Sequence, residues 1–253
     1  MNAPQAHPIR GILFDKDGTL IDFKSAWIPA GMQAAERLCA MAKAPHQLAT
    51  LLRLAGYEQR GQRLEAGSLW ACGTSRELLA EWIQKLDLQG GDVLLDEILG
   101  YMTDVARAHS EPVTDLVALF GDLRARDCKL GVATMDLQRA AAAILEGFGI
   151  RPLVDFVCGC DSGFGHKPNP GMVQAFCSRC DLNPEDILVV GDTPHDLLMG
   201  RAAGAGSVVA VMSGVASREM LEPHADHVLD SIEDLRELLQ IQPVVREASP
   251  RVP

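Results

Sequence analysis

Gly11-Ile-Leu-Phe-Asp-Lys-Asp-Gly-Thr-Leu-Ile21 runs an apolar segment straight into two carboxylates and then a glycine. Gly11 to Phe14 is short, mostly β-favouring and uncharged, which predicts a buried strand ending at Asp15. In extended backbone residues i and i+2 share a face, so Asp15 and Asp17 converge and Lys16 is expected to point away. Gly18 supplies the dihedrals needed to turn the chain directly after the second carboxylate. Two acids held so close in a cleft repel each other, so a divalent cation or a shared proton is expected between them. Oxygen ligands on a compact turn suit Mg²⁺. An isolated Asp-Gly pair more often marks a solvated turn, and the residues downstream decide against that.

Those residues are Gly131-Val-Ala-Thr134-Met-Asp136, Gly165-His-Lys167-Pro-Asn-Pro170 and Val189-Val-Gly191-Asp192-Thr-Pro-His-Asp196. With the opening motif, in this order, the chain resembles the haloacid dehalogenase-like (HAD) hydrolase superfamily, and within it the phosphoglycolate phosphatase-like branch. The resemblance runs from Ile9 to about Leu239.

After Ile21 the pattern becomes a helical block lasting to about Glu111. Helices are expected over residues 25–43, where Pro29 is tolerable only near the first turn, and over 45–55. Gly56 to Gly73 reads as a polar loop. Thr74-Ser-Arg-Glu77 is a capping box opening a third helix, and residues 92–109 make the fourth. From Pro112 strand and helix alternate: helix 114–127, strand 129–134, helix 137–148, strand 154–158, helix 170–180, strand 187–190, helix 196–203, strand 207–212, and a closing helix capped by Ser231. Such alternation implies a parallel sheet with right-handed crossovers and a ligand site at the carboxyl ends of the strands, where Asp15, Thr134 and Asp192 all fall. The expected fold is therefore α/β: residues 1–22 and 112–253 form a Rossmann-like core, and 23–111 an inserted all-α cap of the C1 type. Only about thirty residues separate Thr134 from Lys167, which leaves no room for a domain there. Asp15 on a central strand is what the resemblance implies.

Phosphoryl transfer gives each motif residue a task. Asp15 can attack phosphorus in line and form an aspartyl phosphate. Asp17 can protonate the leaving alkoxide and then take a proton from the hydrolytic water. Thr134 and Lys167 can donate to the equatorial phosphoryl oxygens. The resemblance implies Mg²⁺ held by the Asp15 carboxylate, the Asp17 main-chain oxygen and the Asp192 carboxylate. Asp196 is expected to fix Lys167 or a metal-bound water, and Thr19 to steady the turn. His166 and His195 read as loop residues, and Trp27, Trp70 and Trp82 as cap packing. Substrate contacts are expected from Lys24, Arg60, Arg63, Arg76 and the 67–74 segment, because anionic groups beyond the phosphate need cationic partners.

Asp17 argues against a dehalogenase of the superfamily, which lacks the second carboxylate. Transport ATPases carry threonine there and need membrane spans. The expected activity is Mg²⁺-dependent hydrolysis of a small phosphorylated metabolite resembling 2-phosphoglycolate. A sugar-phosphate mutase shares all four motifs and stays open. A catalytically silent binding protein would lack the nucleophile, the lysine or the metal aspartate, and none is missing.

The 253 residues carry 47% hydrophobic content, ample for a core with an insertion, and a net charge of −11 that argues against nucleic acid or an anionic membrane as partner. The amino terminus lacks the regions of a signal peptide, and the expected compartment is the cytoplasm. Seven cysteines, an odd number, fit reduced thiols. Cys158-Gly-Cys160 and Cys177-Ser-Arg-Cys180 could bring four thiolates together, but no zinc-ribbon turn chemistry surrounds them. The oligomeric state, monomer or homodimer, is left open by the sequence.

Overall fold

A computed structural model of the chain describes residues 9–241; the tail to Pro253, which the sequence predicts to fray, lies outside the described residues. The first strand, β1 (Gly11–Phe14), leads into an insertion made of α1 (Phe23–Met41), α2 (Leu48–Leu54), β2 (Tyr57–Glu58), β3 (Arg63–Leu64), α3 (Leu69–Cys72), α4 (Ser75–Lys85) and α5 (Gly91–His109). Alternation resumes with α6 (Leu116–Arg124), β4 (Lys129–Ala133), α7 (Gln138–Gly147), β5 (Phe156–Cys158), α8 (Gly171–Cys180), β6 (Ile187–Gly191) and α9 (Pro194–Ala203). It closes with β7 (Ser207–Val211), α10 (Arg218–Leu221), β8 (His227–Leu229) and α11 (Leu235–Leu238). Among the described residues no helix is long and apolar enough to cross a membrane.

Six strands form one parallel sheet in the order β5-β4-β1-β6-β7-β8, with β1 between β4 and β6. A parallel sheet must be covered on both faces, and β1 shows how. Ile12 and Phe14 join the core beneath the insertion and α6, with Phe14 stacked on Phe120 at 5.2 Å, whereas Leu13 joins the opposite core with Met172 and Phe176 of α8. All three are fully buried, and each contributes about 1.5–3 kcal/mol by leaving water. The chain moves from β1 to β4 and β5 on one side and then crosses back to β6 on the other. That reversal opens a crevice at the carboxyl ends of β1, β4 and β6.

In the insertion, α1 begins two residues earlier than the sequence suggests, because Asp22 caps it by accepting from the Ser25 N–H at 2.8 Å. Pro29 therefore lies inside the helix, past the first turn. Its missing N–H removes one ladder bond; the helix continues because Ala30, Ala34 and Leu38 are packed into the core with Ile98 and Met102 of α5. The capping box of α4 is present, with Glu77 N–H on Thr74 Oγ1 at 3.1 Å and Thr74 N–H on Glu77 Oε2 at 2.8 Å. Residues 56–73 are more than a loop: β2 and β3 pair as an antiparallel hairpin, and Ser68 caps the single turn of α3. Two-residue strands are too short to show alternation, which is why the hairpin leaves no periodic signal. β8 and α10 are likewise short additions, and the closing helix is a 3₁₀ turn at Ile232–Asp234 followed by α11.

The two crossings between sheet and insertion are tied together. Asp22 N–H donates to the Glu111 carbonyl at 2.9 Å, Val113 N–H donates to the Leu20 carbonyl at 3.0 Å, and Ile21 bridges Pro112.

Candidate active site

Asp15, Thr134 and Asp192 each stand one residue past a strand end, and the ladder carries on into the site through Asp15 N–H to the Val190 carbonyl (2.8 Å) and Thr134 N–H to the Cys158 carbonyl (2.9 Å). Lys167 reaches them from the loop before α8. Its Nζ lies 2.5 Å from Asp15 Oδ1 and 2.6 Å from Asp196 Oδ1, and all three side chains are buried. Asp196 sits in the first turn of α9, where its other oxygen accepts from the Thr193 N–H at 3.0 Å and hydroxyl at 2.6 Å. It is thus both a helix-start residue and the partner that anchors Lys167. Thr19 lies behind the turn with its hydroxyl 3.5 Å from Asp192 Oδ1, and Val215 N–H reaches Asp192 Oδ2 at 3.3 Å.

Three carboxylates around one ammonium leave an excess of negative charge, and burial together with that charge shifts the pKa of Asp15, Asp192 and Lys167. Burial pushes the Asp15 carboxyl up to about 7, with Asp196 and Asp17 adding to the rise and Lys167 opposing it. Burial, and then the charges of Asp15 and Asp196, hold Asp192 well above the ordinary carboxylate range. Burial works against the Lys167 charge, but Asp15 and Asp196 outweigh it and raise the ammonium above its usual value.

A hard divalent cation fits these residues. Among the described residues, Asp15, Asp192 and Asp196 make the one cluster of three or more potential ligands whose donor atoms all lie within 4.8 Å of one another. Asp15 Oδ2 is buried with no hydrogen-bond partner, an arrangement that costs stability unless something pairs with it. Gly18 is needed for the approach: its φ is +90°, and a Cβ there would lie 2.3 Å from Asp192 Oδ2. Ser213 locks this turn by donating to the Gly18 carbonyl at 2.7 Å. The six cysteines with described side chains are unpaired thiols.

Lys16 departs from expectation. Instead of pointing away from both motif carboxylates it is fully buried, with Nζ 2.8 Å from Asp17 Oδ1 and 3.3 Å from Asp136 Oδ2, 5.8 Å from the centre of the Trp27 ring. Alternation sets the Cα–Cβ direction, but a four-carbon arm can curl back, and here two carboxylates reward it. Burial opposes the Lys16 charge while Asp17 and Asp136 overcome that and raise its titration. Asp17 Oδ1 receives a second donor, Trp27 Nε1, at 2.8 Å. Trp27 is therefore tied to a motif carboxylate as well as packed in the insertion. Asp136 N–H donates to Thr134 Oγ1 at 3.1 Å, which leaves the threonine O–H free to donate into the crevice.

A cavity of about 280 Å³ lies between the crevice and the insertion. Asp15, Asp17, Thr134, Lys167, Asp192 and Asp196 all line it. Of the cations expected at substrate, Arg76 also lines it, but its guanidinium is taken by Asp96 at 2.6 Å and Asp92 at 2.9 Å. Arg60 and Arg63 line a separate groove beside the β2–β3 hairpin, and Lys24 is exposed outside both. His166 and His195 stand at the cavity wall, His195 within α9 and not in a loop. Trp27 and Trp70 line it as well; Trp82 does not, being fully buried with Nε1 donating to the Leu51 carbonyl at 2.9 Å. Lys16, Asp136, Trp27 and Ser213 were not assigned site roles from sequence. Only Asp136 left a signal, by its place two residues after Thr134.

Residues 9–204 match the model of a family described as haloacid dehalogenase-like hydrolase. The chain is 30% identical to the phosphoglycolate phosphatase of Rhodospirillum rubrum over 212 residues, covering 83% of this chain and 82% of that protein. It is 27% identical to the pyrophosphatase PpaX of Bacillus pumilus over 147 residues, covering 57% of this chain and 68% of the relative. A crystal structure described as a predicted phosphoglycolate phosphatase from Haemophilus somnus superposes with a TM-score of 0.70 at 19% identity, covering 93% of this chain and 99% of the other.

Proposed function

Because this chain belongs to the haloacid dehalogenase-like hydrolase family, we propose that it is a Mg²⁺-dependent phosphatase that hydrolyses a small phosphomonoester through an aspartyl phosphate. The observation that carries this reading is the buried, partnerless Asp15 Oδ2 beside Lys167 in a three-carboxylate cluster. A nucleophile must be anionic yet loosely solvated: burial supplies the second condition, and Lys167, joined by a bound cation, would hold Asp15 ionised against burial and its carboxylate neighbours. The names of the relatives support a phosphate substrate of low molecular weight.

In this reading the Asp15 carboxylate attacks phosphorus, an Asp15–phosphorus bond forms, and the bond to the leaving alkoxide breaks. Asp17, held at Oδ1 by Lys16 and Trp27, gives that alkoxide a proton through its other oxygen. It then takes a proton from a water that attacks phosphorus, which frees Asp15 and inorganic phosphate. Lys167 and the Thr134 hydroxyl donate to the phosphoryl oxygens where charge accumulates. Asp15, Asp192 and the Asp17 main-chain oxygen would hold the cation, whose charge offsets that of carboxylates and phosphate. The division into a core (1–22, 112–253) and a cap (23–111) that excludes water over the crevice belongs to the same proposal.

Phosphate release from a panel of phosphomonoesters, with and without Mg²⁺, tests the proposal. Release that needs Mg²⁺, needs no bisphosphate activator and falls at least a thousandfold in Asp15→Asn is expected. Release only with a bisphosphate activator would make the protein a mutase, and no release at all with the cation bound would make it a binding protein.

A further inference from the structure

The cavity has two unlike ends. Its floor carries the motif carboxylates with Lys167. Its roof, supplied by the insertion, is mostly apolar: Phe23 and Trp27 from α1, Leu69 and Trp70 from α3, Leu78 from α4 and Leu99 from α5, alongside Arg76 and three uncharged hydroxyls. Trp70 is set there by a close approach, since a Cβ on Gly31 of α1 would lie 1.8 Å from its ring. Tyr57 and Trp82 brace the ring at 5.3 and 5.7 Å.

A leaving group with a second negative charge needs an available cation. Arg76 and Lys167 supply the only guanidinium and ammonium among the described lining residues, and each already holds two carboxylates. His166 and His195 stand at the wall; the Glu77 carboxyl is drawn down chiefly by its hydrogen bonds from Thr74, and the two imidazoles add to that against the effect of burial. Trp70 Nε1, buried with no partner, adds a donor but no countercharge. Five acids line the same space, Asp15, Asp17, Asp136, Asp192 and Asp196, and they already engage Lys16, Lys167 and the proposed cation, so an extra anion beside the phosphate would find no uncommitted lysine or arginine among the described lining residues.

Resting on the phosphatase reading, we propose that the substrate is the phosphate ester of an uncharged, apolar alcohol, aromatic or branched, seated against Trp70, Leu78 and Leu99. A glycolate carboxylate or the second phosphate of pyrophosphate does not match this roof. Specificity then resides in desolvating a neutral body and not in pairing a second charge.

The test compares kcat/KM of the full chain with Mg²⁺ for 2-phenylethyl phosphate, 2-phosphoglycolate and pyrophosphate. A preference of at least tenfold for 2-phenylethyl phosphate, residing mainly in KM, is expected. Preference for either substrate with a second anionic group overturns the inference while leaving the phosphatase reading intact. Leu99→Arg, at a half-buried position, is expected to shrink the preference at least tenfold by adding a roof cation, and an unchanged ratio counts against the roof's role. If none of the three compounds is hydrolysed, tryptophan fluorescence of Asp15→Asn decides the matter: quenching by 2-phenylethyl phosphate and not by 2-phosphoglycolate supports the inference, and the reverse overturns it.

Discussion

Lys16 Nζ rests 2.8 Å from Asp17 Oδ1, although consecutive side chains on extended backbone start out on opposite faces. The lysine between the two motif carboxylates thus acts as an internal counterion. It balances Asp17 and Asp136 without touching the cavity, while Lys167 does so for Asp15 and Asp196 from the other side.

Removing that counterion strands two carboxylates. Lys16→Met is expected to destabilise the fold by about 3–5 kcal/mol, the usual cost of breaking a buried ion pair. Pairing it with Asp136→Leu should recover part of the loss, because the charges then leave together. Urea denaturation of the two single variants and the double variant measures this; strict additivity would show that the pair is not coupled.

Trp27→Phe keeps an aromatic ring, smaller than the indole, and deletes the N–H that holds Asp17. If Asp17 is the proton donor, poor leaving groups suffer and good ones do not. Hydrolysis of alkyl phosphates should fall about tenfold, or ~1.4 kcal/mol, while p-nitrophenyl phosphate should change less than threefold. Equal losses on both would place the tryptophan in packing alone.

The metal-free protein should lose stability as pH rises. The folded pKa of Asp15, about 7, lies above its ordinary 3.8, so between these values the folded state binds the proton more tightly than the unfolded chain does. This contribution is full below about pH 4 and lost as pH passes about 7; the raised Asp192 acts in the same direction. A divalent cation competes for the same oxygens, so the rise in Tm on adding Mg²⁺ should grow from pH 5 to pH 7.5. A pH-independent increment would mean that the cation binds elsewhere.

Gly18→Ala places a Cβ at positive φ and against Asp192. The backbone term alone costs about 1–2 kcal/mol. A larger consequence is expected for Mg²⁺: calorimetry should show weaker binding, since Asp192 must move. Unaltered Mg²⁺ affinity would show that this turn does not shape the cation site.

The sheet and the motif residues were legible because each is a local signal. An apolar run of four residues ending in Asp15 is a strand end by its own composition, and Thr134 and Asp192 repeat that pattern. What escaped is what depends on distant partners. Nothing beside Lys16 announces Asp136, which lies 120 positions along the chain, and nothing beside Trp27 announces that its N–H meets Asp17 across a turn. Pro29 was misplaced for the same reason: local rules put it at the edge of α1, and packing against α5 overrode them. Of the arginines expected at substrate, Arg76 lines the cavity and Arg60 and Arg63 a separate groove, and sequence alone does not say which acid already holds a guanidinium, as Asp92 and Asp96 hold Arg76.

The hydrogen bond from Asp22 to Glu111 joins the two ends of the insertion. Everything from Phe23 to Ser110 leaves the sheet and returns to it at a single seam, so it forms a cassette. A different roof could be grafted at that seam, or a tight turn could close it, with the register of β1 against β4 and β6 undisturbed. On the proposed reading selectivity is written mostly in that cassette and chemistry mostly in the sheet, with the Trp27 bond to Asp17 joining the two.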